Sequence, residues 1–187
     1  NTVLLTFNAP FFEDQTTYTL TVNNTISDCS GNNIVATTFE FSFLQVQPAE
    51  RYDVLINEFY PDFTPSFGLP EKEFVELYNR SEKSILLQPN SYVILYEAGG
   101  QGFNPLGDTI VVSNFIGLGN ESDAFELYDA FGNLIHAVDY DKSWYQDSDK
   151  VDGGWSIELI NPNAPCTFQS NWRASTDPSG GTPGRIN

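Results

Sequence analysis

The sequence contains no methionine, one histidine and only two cysteines among its 187 residues. A single histidine, His136, excludes a zinc site built on several histidines and acid–base catalysis that depends on more than one. Two thiols also fall short of the disulfide framework of small secreted domains. We therefore expect Cys29 and Cys166 to be two separate buried thiols, with a single long-range disulfide as the alternative.

Positive charge is also scarce. The sequence has eight Lys and Arg residues and 25 Asp and Glu residues, which gives a net charge of −17. Nucleic acid binding and docking on anionic lipid draw their affinity from clustered basic residues, so both are excluded as functions. The same charge favours divalent cations or basic partners. No apolar run approaches the roughly 20 residues of a membrane helix, so we expect no membrane insertion.

The start of the sequence and its lack of catalytic motifs give two further expectations. The sequence begins without a methionine or a signal-like segment, so we expect it to be a piece of a longer protein. It contains no nucleophile elbow, phosphate-binding glycine loop or zinc-peptidase motif. We expect no catalytic residues and no enzymatic activity.

Short runs rich in Val, Ile, Thr, Tyr and Phe, separated by Gly, Pro, Asn and Asp, predict an all-β fold. No window shows a sustained 3.6-residue apolar period, so we expect almost no helix. The predicted strands cover residues 3–7, 17–23, 35–43, 54–60, 74–79, 92–96, 109–112, 124–128, 134–140 and 156–160.

The chain divides into two predicted parts. Residues 1–46 hold three strands, which are too few to close a sandwich, so we interpret them as the C-terminal part of a module. Residues 47–53, with Pro48 near their start, predict a linker. Residues 54–187 form the second predicted domain, and all eight basic residues lie after residue 46.

Both parts resemble known families. The pattern TYTLTV at 17–22 with DCSGN at 28–32 resembles the C-terminal half of bacterial immunoglobulin-like modules. The second part resembles a lamin tail domain, in the form found in secreted proteins of Bacteroidetes-type bacteria. The matching segments are INE at 56–58, FVELYN at 74–79, and residues 87–95, 118–127, 132–140, 153–158, 171–172 and 180–184.

The lamin-tail resemblance implies an immunoglobulin-like β-sandwich with a structural or binding role, joined to other modules of a secreted or cell-surface polypeptide. It implies no catalytic activity. One departure concerns residues 79–87, which run almost directly from the ELYN strand to the YVIL strand, whereas the family pattern has another strand between them. Either this member lacks that strand or residues are missing from the sequence.

An acidic segment, residues 139–152, is the best candidate for a metal site. Its five aspartates could bind calcium through their carboxylate oxygens, but their spacing does not fit an EF-hand loop, and a solvated turn is the alternative. The candidate ligands are Asp139, Asp141, Asp147, Asp149 and Asp152. A second possible cation site requires Glu58, Glu76 and Glu158 to converge from three strands, and carboxylates hydrogen-bonded to backbone N–H groups are the alternative.

Trp144 and Tyr145 lie in the same acidic segment and are the candidates for an exposed aromatic platform that binds a sugar ring. His136 is expected to be a hydrogen-bonded histidine of a sheet. The leading hypothesis is a non-catalytic structural or adhesive module of a larger secreted protein, whose partners are protein or glycan at the cell surface. The alternative is a carbohydrate- or calcium-binding module that targets an enzyme elsewhere in the polypeptide.

Strand alternation also predicts the core. The residues expected to be largely buried are Leu20, Val22, Phe39, Phe41, Ile56, Val75, Leu77, Val93, Leu95, Leu127 and Val138.

Overall fold

A computed structural model describes residues 6, 12–13, 16–43, 45–99, 101–166 and 168–187. The chain divides into two compact units, Asn1–Val46 and Gln47–Asn187. Across the described residues the secondary structure consists of β-strands and three short 3₁₀ turns, with no α-helix. That part of the chain therefore has no helix long and apolar enough to cross a membrane. The all-β prediction is confirmed.

The first unit contains an antiparallel pair, β1 (Thr17–Val22) and β2 (Thr37–Ser42), in which Leu20 lies opposite Phe39. Threonines alternate with half-buried apolar residues along β1, as the sequence predicts. Between the strands, the Asp28 carboxylate accepts hydrogen bonds from the backbone N–H groups of Ser30 and Asn32, both at 2.9 Å. The predicted strand at 3–7 lies, except for residue 6, outside the described residues.

The prediction that Phe39 and Phe41 are buried is wrong, since they are 54% and 40% exposed. Leu20 and Val22, on the partner strand, are only half-buried. The pattern of alternation is correct, but within the described residues this unit has two strands and no second sheet; the ring of Phe12 covers part of their apolar face through contacts with Tyr18, Phe41 and Phe43. Alternation fixes which residues share a face, whereas burial requires a second layer.

The strands of the second unit are β3 Val54–Tyr60, β4 Phe74–Asn79, β5 Tyr92–Glu97, β6 Thr109–Val112, β7 Ser122–Tyr128, β8 Leu134–Asp141, β9 Ile157–Leu159 and β10 Trp172–Ala174. They form a six-stranded sheet in the order β10-β9-β3-β4-β5-β6 and a separate antiparallel pair, β7-β8. All pairs in the larger sheet are antiparallel except β5 with β6. Strand β10 is the one that the sequence pattern did not predict.

The large sheet has two apolar faces, and each supports a different cluster. One face packs against β7-β8 in a sandwich-like arrangement, with Phe59, Phe125 and Tyr140 in ring contact. The other face carries a second cluster, centred on Tyr60, Phe74 and neighbouring aromatic residues, beneath loops. A register shift between Ile56 and Glu58 lets Ile56 and Phe59 join the first cluster while Glu58 lies on the opposite face.

The predicted core is confirmed for Ile56, Val75, Val93 and Val138, which are at most 8% exposed. By contrast, Leu77, Leu95 and Leu127 are only half-buried. All three line one cleft between the large sheet and β7. The two strands of the smaller sheet are too few to cover the whole face of a six-stranded sheet, so this part of the face stays open.

The first residues of the second unit are hydrogen-bonded to the rest of that unit. The N–H of Gln47 donates to Ser84 O at 2.9 Å and the N–H of Tyr52 to Ile135 O at 3.0 Å, so the residues predicted as a linker lie against the second unit. Between β4 and β5, residues 80–91 contain only an isolated bridge between Ile85 and Leu87. These two strands pair directly with each other.

Candidate functional site

The five candidate calcium ligands do not come together. Asp139 and Asp141 lie on β8, and the other three lie in the loop that follows. Asp141 accepts a hydrogen bond from the Ser143 N–H and caps a 3₁₀ turn, Lys142–Tyr145, while Asp147 accepts from the Asp149 N–H at 3.0 Å. In the described part of the chain, no group of three or more His, Cys, Asp or Glu residues is arranged to hold a metal ion.

The structure buries Trp144 and Tyr145, which are 8% and 1% exposed, so the expected exposed platform does not form. Both belong to the core cluster between the two sheets, and Trp144 packs on Trp172 with ring centroids 5.7 Å apart. The 3₁₀ turn that holds the pair directs both rings inward. Local sequence cannot reveal this, because the partner ring belongs to the unpredicted strand β10.

Both cysteines also differ from expectation. Cys29 and Cys166 are free, and both are exposed rather than buried. Cys29 lies in the turn after β1, in the unit whose described residues form no second sheet, and Cys166 lies in the loop before β10. Neither position offers the apolar enclosure that a structural thiol occupies.

His136 has the structural role that the sequence predicts. It is 4% exposed, and its Nδ1 accepts a hydrogen bond from the Ile56 backbone N–H at 3.0 Å. Burial, and to a smaller extent the positive charge of Arg51, lower its pKa to about 4. The imidazole is therefore neutral at physiological pH and joins β8 to β3 across the sandwich.

Three buried glutamates do converge. Glu58 lies opposite Glu76 on β4 and opposite Glu158 on β9, so the three form one row across adjacent strands. Each is at most 1% exposed. We call these residues the glutamate row.

The last residues of the chain cover the glutamate row and donate hydrogen bonds to it. The Thr182 N–H donates to Glu58 Oε1 at 2.9 Å and its hydroxyl donates to Glu158 Oε1 at 2.9 Å. The Gly184 N–H and the Asn57 side chain donate to the two oxygens of Glu76. The oxygens that a cation would need are therefore engaged by protein donors, which favours the structural alternative for these carboxylates.

Burial makes two members of the glutamate row, Glu58 and Glu76, hard to ionise. Burial is the main cause that raises the pKa of Glu58 well above its usual value, and the charges of Glu76 and Glu158 raise it further. Burial also raises the pKa of Glu76 to about 7, against the opposing effect of its hydrogen bonds from Gly184 and Asn57. Glu58 and Glu76 thus retain protons at a pH where exposed glutamates have lost them.

The second unit has a large groove, about 950 Å³ in volume, along β8 and the loop that precedes β10. Its apolar wall includes Trp144, Trp172 and the 79% exposed ring of Phe168. Its polar lining is mostly acidic and includes Asp123 and Asp139. A smaller cleft, about 210 Å³, lies along β7 and is almost entirely apolar.

Sequence reasoning missed the residues that complete these features. Thr182 and Gly184 are 124 and 108 residues from the glutamates that they contact. No local pattern signals a contact over that distance.

Comparison of the chain with known protein families, curated proteins and solved structures gives no match. The class that the coordinates define is an all-β, sandwich-like protein. The lamin-tail resemblance stays a prediction from sequence motifs.

Proposed function

We propose that this chain is a non-catalytic structural or adhesive part of a larger secreted or cell-surface protein. In this proposal residues 54–187 form an immunoglobulin-like sandwich of the lamin-tail type, and residues 1–46 are the C-terminal part of an immunoglobulin-like module. Other modules of the same polypeptide, and protein or glycan at the cell surface, are the partners.

The proposal rests on the hydrogen bonds of the buried ionisable side chains. The imidazole of His136 accepts a backbone hydrogen bond. The glutamate row is covered by the end of the chain. Groups that could transfer a proton or bind a cation thus serve the fold, and an acidic β-rich surface is left for contact with partners.

The first unit gives further support. Phe39 and Phe41 expose an apolar strand face on β2, and exposed apolar faces of this kind are typical of surfaces that another element covers. Upstream strands of the same polypeptide are the proposed cover.

Cell fractionation of the source organism tests the proposal, with an antibody raised against the second unit. The expected band is larger than the 20.9 kDa of this chain, lies in the secreted or surface fraction, and is removed when intact cells are treated with protease. A protected band of about that mass in the soluble interior of the cell would contradict it.

The large groove favours a second candidate function, a carbohydrate-binding module that targets an enzyme elsewhere in the polypeptide. The exposed ring of Phe168 beside acidic acceptors suits a sugar ring, whereas Trp144 and Trp172 are buried in the wall of the groove. Glycan-array binding that Phe168→Ala abolishes, while the exposed Phe131→Ala on the β7-β8 turn leaves it intact, would support this candidate. A silent array would remove it.

A further inference from the structure

Strand β7 has a free edge beside an open apolar cleft. Within the described residues β7 pairs only with β8, so the backbone groups on its other side form no strand pairing. The cleft on that side, which we call the β7 cleft, is lined mainly by Leu77, Leu95, Val112, Phe115, Ile116 and Leu127.

The walls of the β7 cleft are apolar and only partly covered. Leu77, Leu95 and Leu127 are half-buried, and Ile116 is 53% exposed. Strands in one sheet lie about 4.8 Å apart and packed sheets about 10 Å apart, so a strand added to β7 would lie over the open face of the large sheet. Every second side chain of that strand would point into the cleft.

The charge around the β7 cleft selects the kind of strand. Residues 84–141, which include β5, β6, β7 and β8, carry eight acidic residues and no Lys or Arg. Glu126 lines the cleft itself, whereas Glu97, opposite Val112 at its margin, is paired with Lys72 at 3.7 Å. An added strand with basic residues would meet complementary charge, whereas an acidic strand would be repelled.

We propose that the β7 cleft receives an extended strand of a second protein, in which apolar residues alternate with Lys or Arg. The strand adds to the free edge of β7, places its apolar side chains against Leu77 and Leu95, and directs its basic side chains to the acidic rim. Strand addition of this kind takes affinity from main-chain hydrogen bonds and specificity from alternate side chains. The inference rests on the proposed adhesive function and gives the chemistry of its partner.

A second copy of the chain does not fit this site. Each copy carries a net charge of −17, and the strands that border the cleft hold no basic residue. Pairing of two such edges would bring acid against acid, which is destabilising.

The probe is a fluorescently labelled octapeptide that alternates Val and Lys, with both ends blocked, added to the 187-residue chain. The expected result is saturable binding by fluorescence anisotropy that weakens as salt rises. A Val–Glu octapeptide should not bind. A Val–Lys octapeptide that is N-methylated at every residue should also fail, because it lacks the N–H groups that strand pairing needs. In the complex, hydrogen exchange should slow at the β7 amides that do not bond β8.

Ile116 and Glu126 line both the β7 cleft and the large groove, so two variants there locate the binding together with Phe168→Ala, which changes the large groove alone and should leave affinity unchanged. Ile116→Lys places a charge in the cleft at a position that is already half exposed, so the fold should tolerate it while peptide affinity falls at least about tenfold. Glu126→Lys reverses a rim charge and should weaken binding on the order of fivefold. The matched control is Asp149→Lys, the same change of charge on an exposed loop outside the cleft, which should leave affinity within about twofold.

Each other outcome overturns the proposal. Equal weakening by Glu126→Lys and Asp149→Lys would show general attraction to an acidic surface. Binding that survives N-methylation would exclude strand addition, and absence of binding at millimolar peptide would exclude the site. Self-association in sedimentation that Ile116→Lys abolishes would make a second copy the occupant. None of these binding results changes what cell fractionation would show. The proposed function and the proposed partner chemistry can therefore be contradicted independently.

Discussion

The glutamate row should make the second unit less stable as pH rises, and Glu76→Gln should remove that dependence. The pKa of Glu76 is raised from 4.5 to about 7 in the folded protein, chiefly by burial. The folded state therefore holds a proton that the unfolded state releases, so the contribution to stability is present below pH 4.5 and is lost as pH rises through 7. A difference of about 2.5 pKa units corresponds to about 3 kcal/mol.

Glutamine is nearly isosteric with a protonated glutamate but cannot ionise. Its amide leaves one of the two donors, the Asn57 side chain or the Gly184 N–H, without its acceptor, which costs about 1 kcal/mol at every pH. The diagnostic quantity is consequently the change with pH. Between pH 4.5 and pH 8, the free energy of unfolding of Glu76→Gln should rise by about 3 kcal/mol relative to that of the natural chain. The fall in the pKa of Glu58, when its charged neighbour is removed, adds in the same direction.

Urea unfolding followed by tryptophan fluorescence measures this difference. All three tryptophans lie in the second unit, so the signal reports that unit alone. Glu82→Gln, on an exposed residue, is the matched control and should follow the pH profile of the natural chain. Parallel profiles for Glu76→Gln and the natural chain would refute the reasoning and show that the pKa of Glu76 is not raised in the folded state.

Three further changes test other parts of the structure. In the natural chain, the free energy of unfolding should fall by about 3 kcal/mol as pH falls from 6.5 toward 4, because the pKa of the His136 imidazole is lower in the folded state than in the unfolded state. His136→Gln should remove this fall, which urea unfolding measures. Gly181→Ala should cost about 1–3 kcal/mol in the same assay, since its Cβ would lie 2.5 Å from an oxygen of the glutamate row, whereas Gly117→Ala meets nothing within 4 Å. Calcium and magnesium at matched ionic strength should raise the melting temperature equally, and Asp147→Asn with Asp149→Asn should leave that equality unchanged.

These three predictions have clear contrary results. An unchanged acid slope in His136→Gln would mean that the buried imidazole does not titrate as stated. Equal stabilities of the two glycine variants would mean that the end of the chain does not lie tightly over the sheet. A calcium-specific rise that the double asparagine variant abolishes would establish a calcium site in the acidic loop.

The sequence by itself determined the strands of the second unit and the role of its histidine. Strands β3 and β4 occupy the predicted residues, because alternation and turn residues act over a few positions and need no distant partner. The role of His136 was also predictable from the sequence, since a lone histidine inside a strand most simply forms a hydrogen bond with a backbone group. Strand β10, only three residues long, was too short to give a pattern.

Burial was decided by tertiary structure. Leu77 lies on the predicted face but is only half-buried, because the smaller sheet has too few strands to cover it. Trp144 was predicted to be exposed from its acidic neighbours and is buried, because Trp172 packs on it from a strand far along the chain. The glutamate row is closed by Thr182, 124 residues from Glu58. Local sequence encodes the direction of each side chain, whereas its environment depends on which distant segment lies over it.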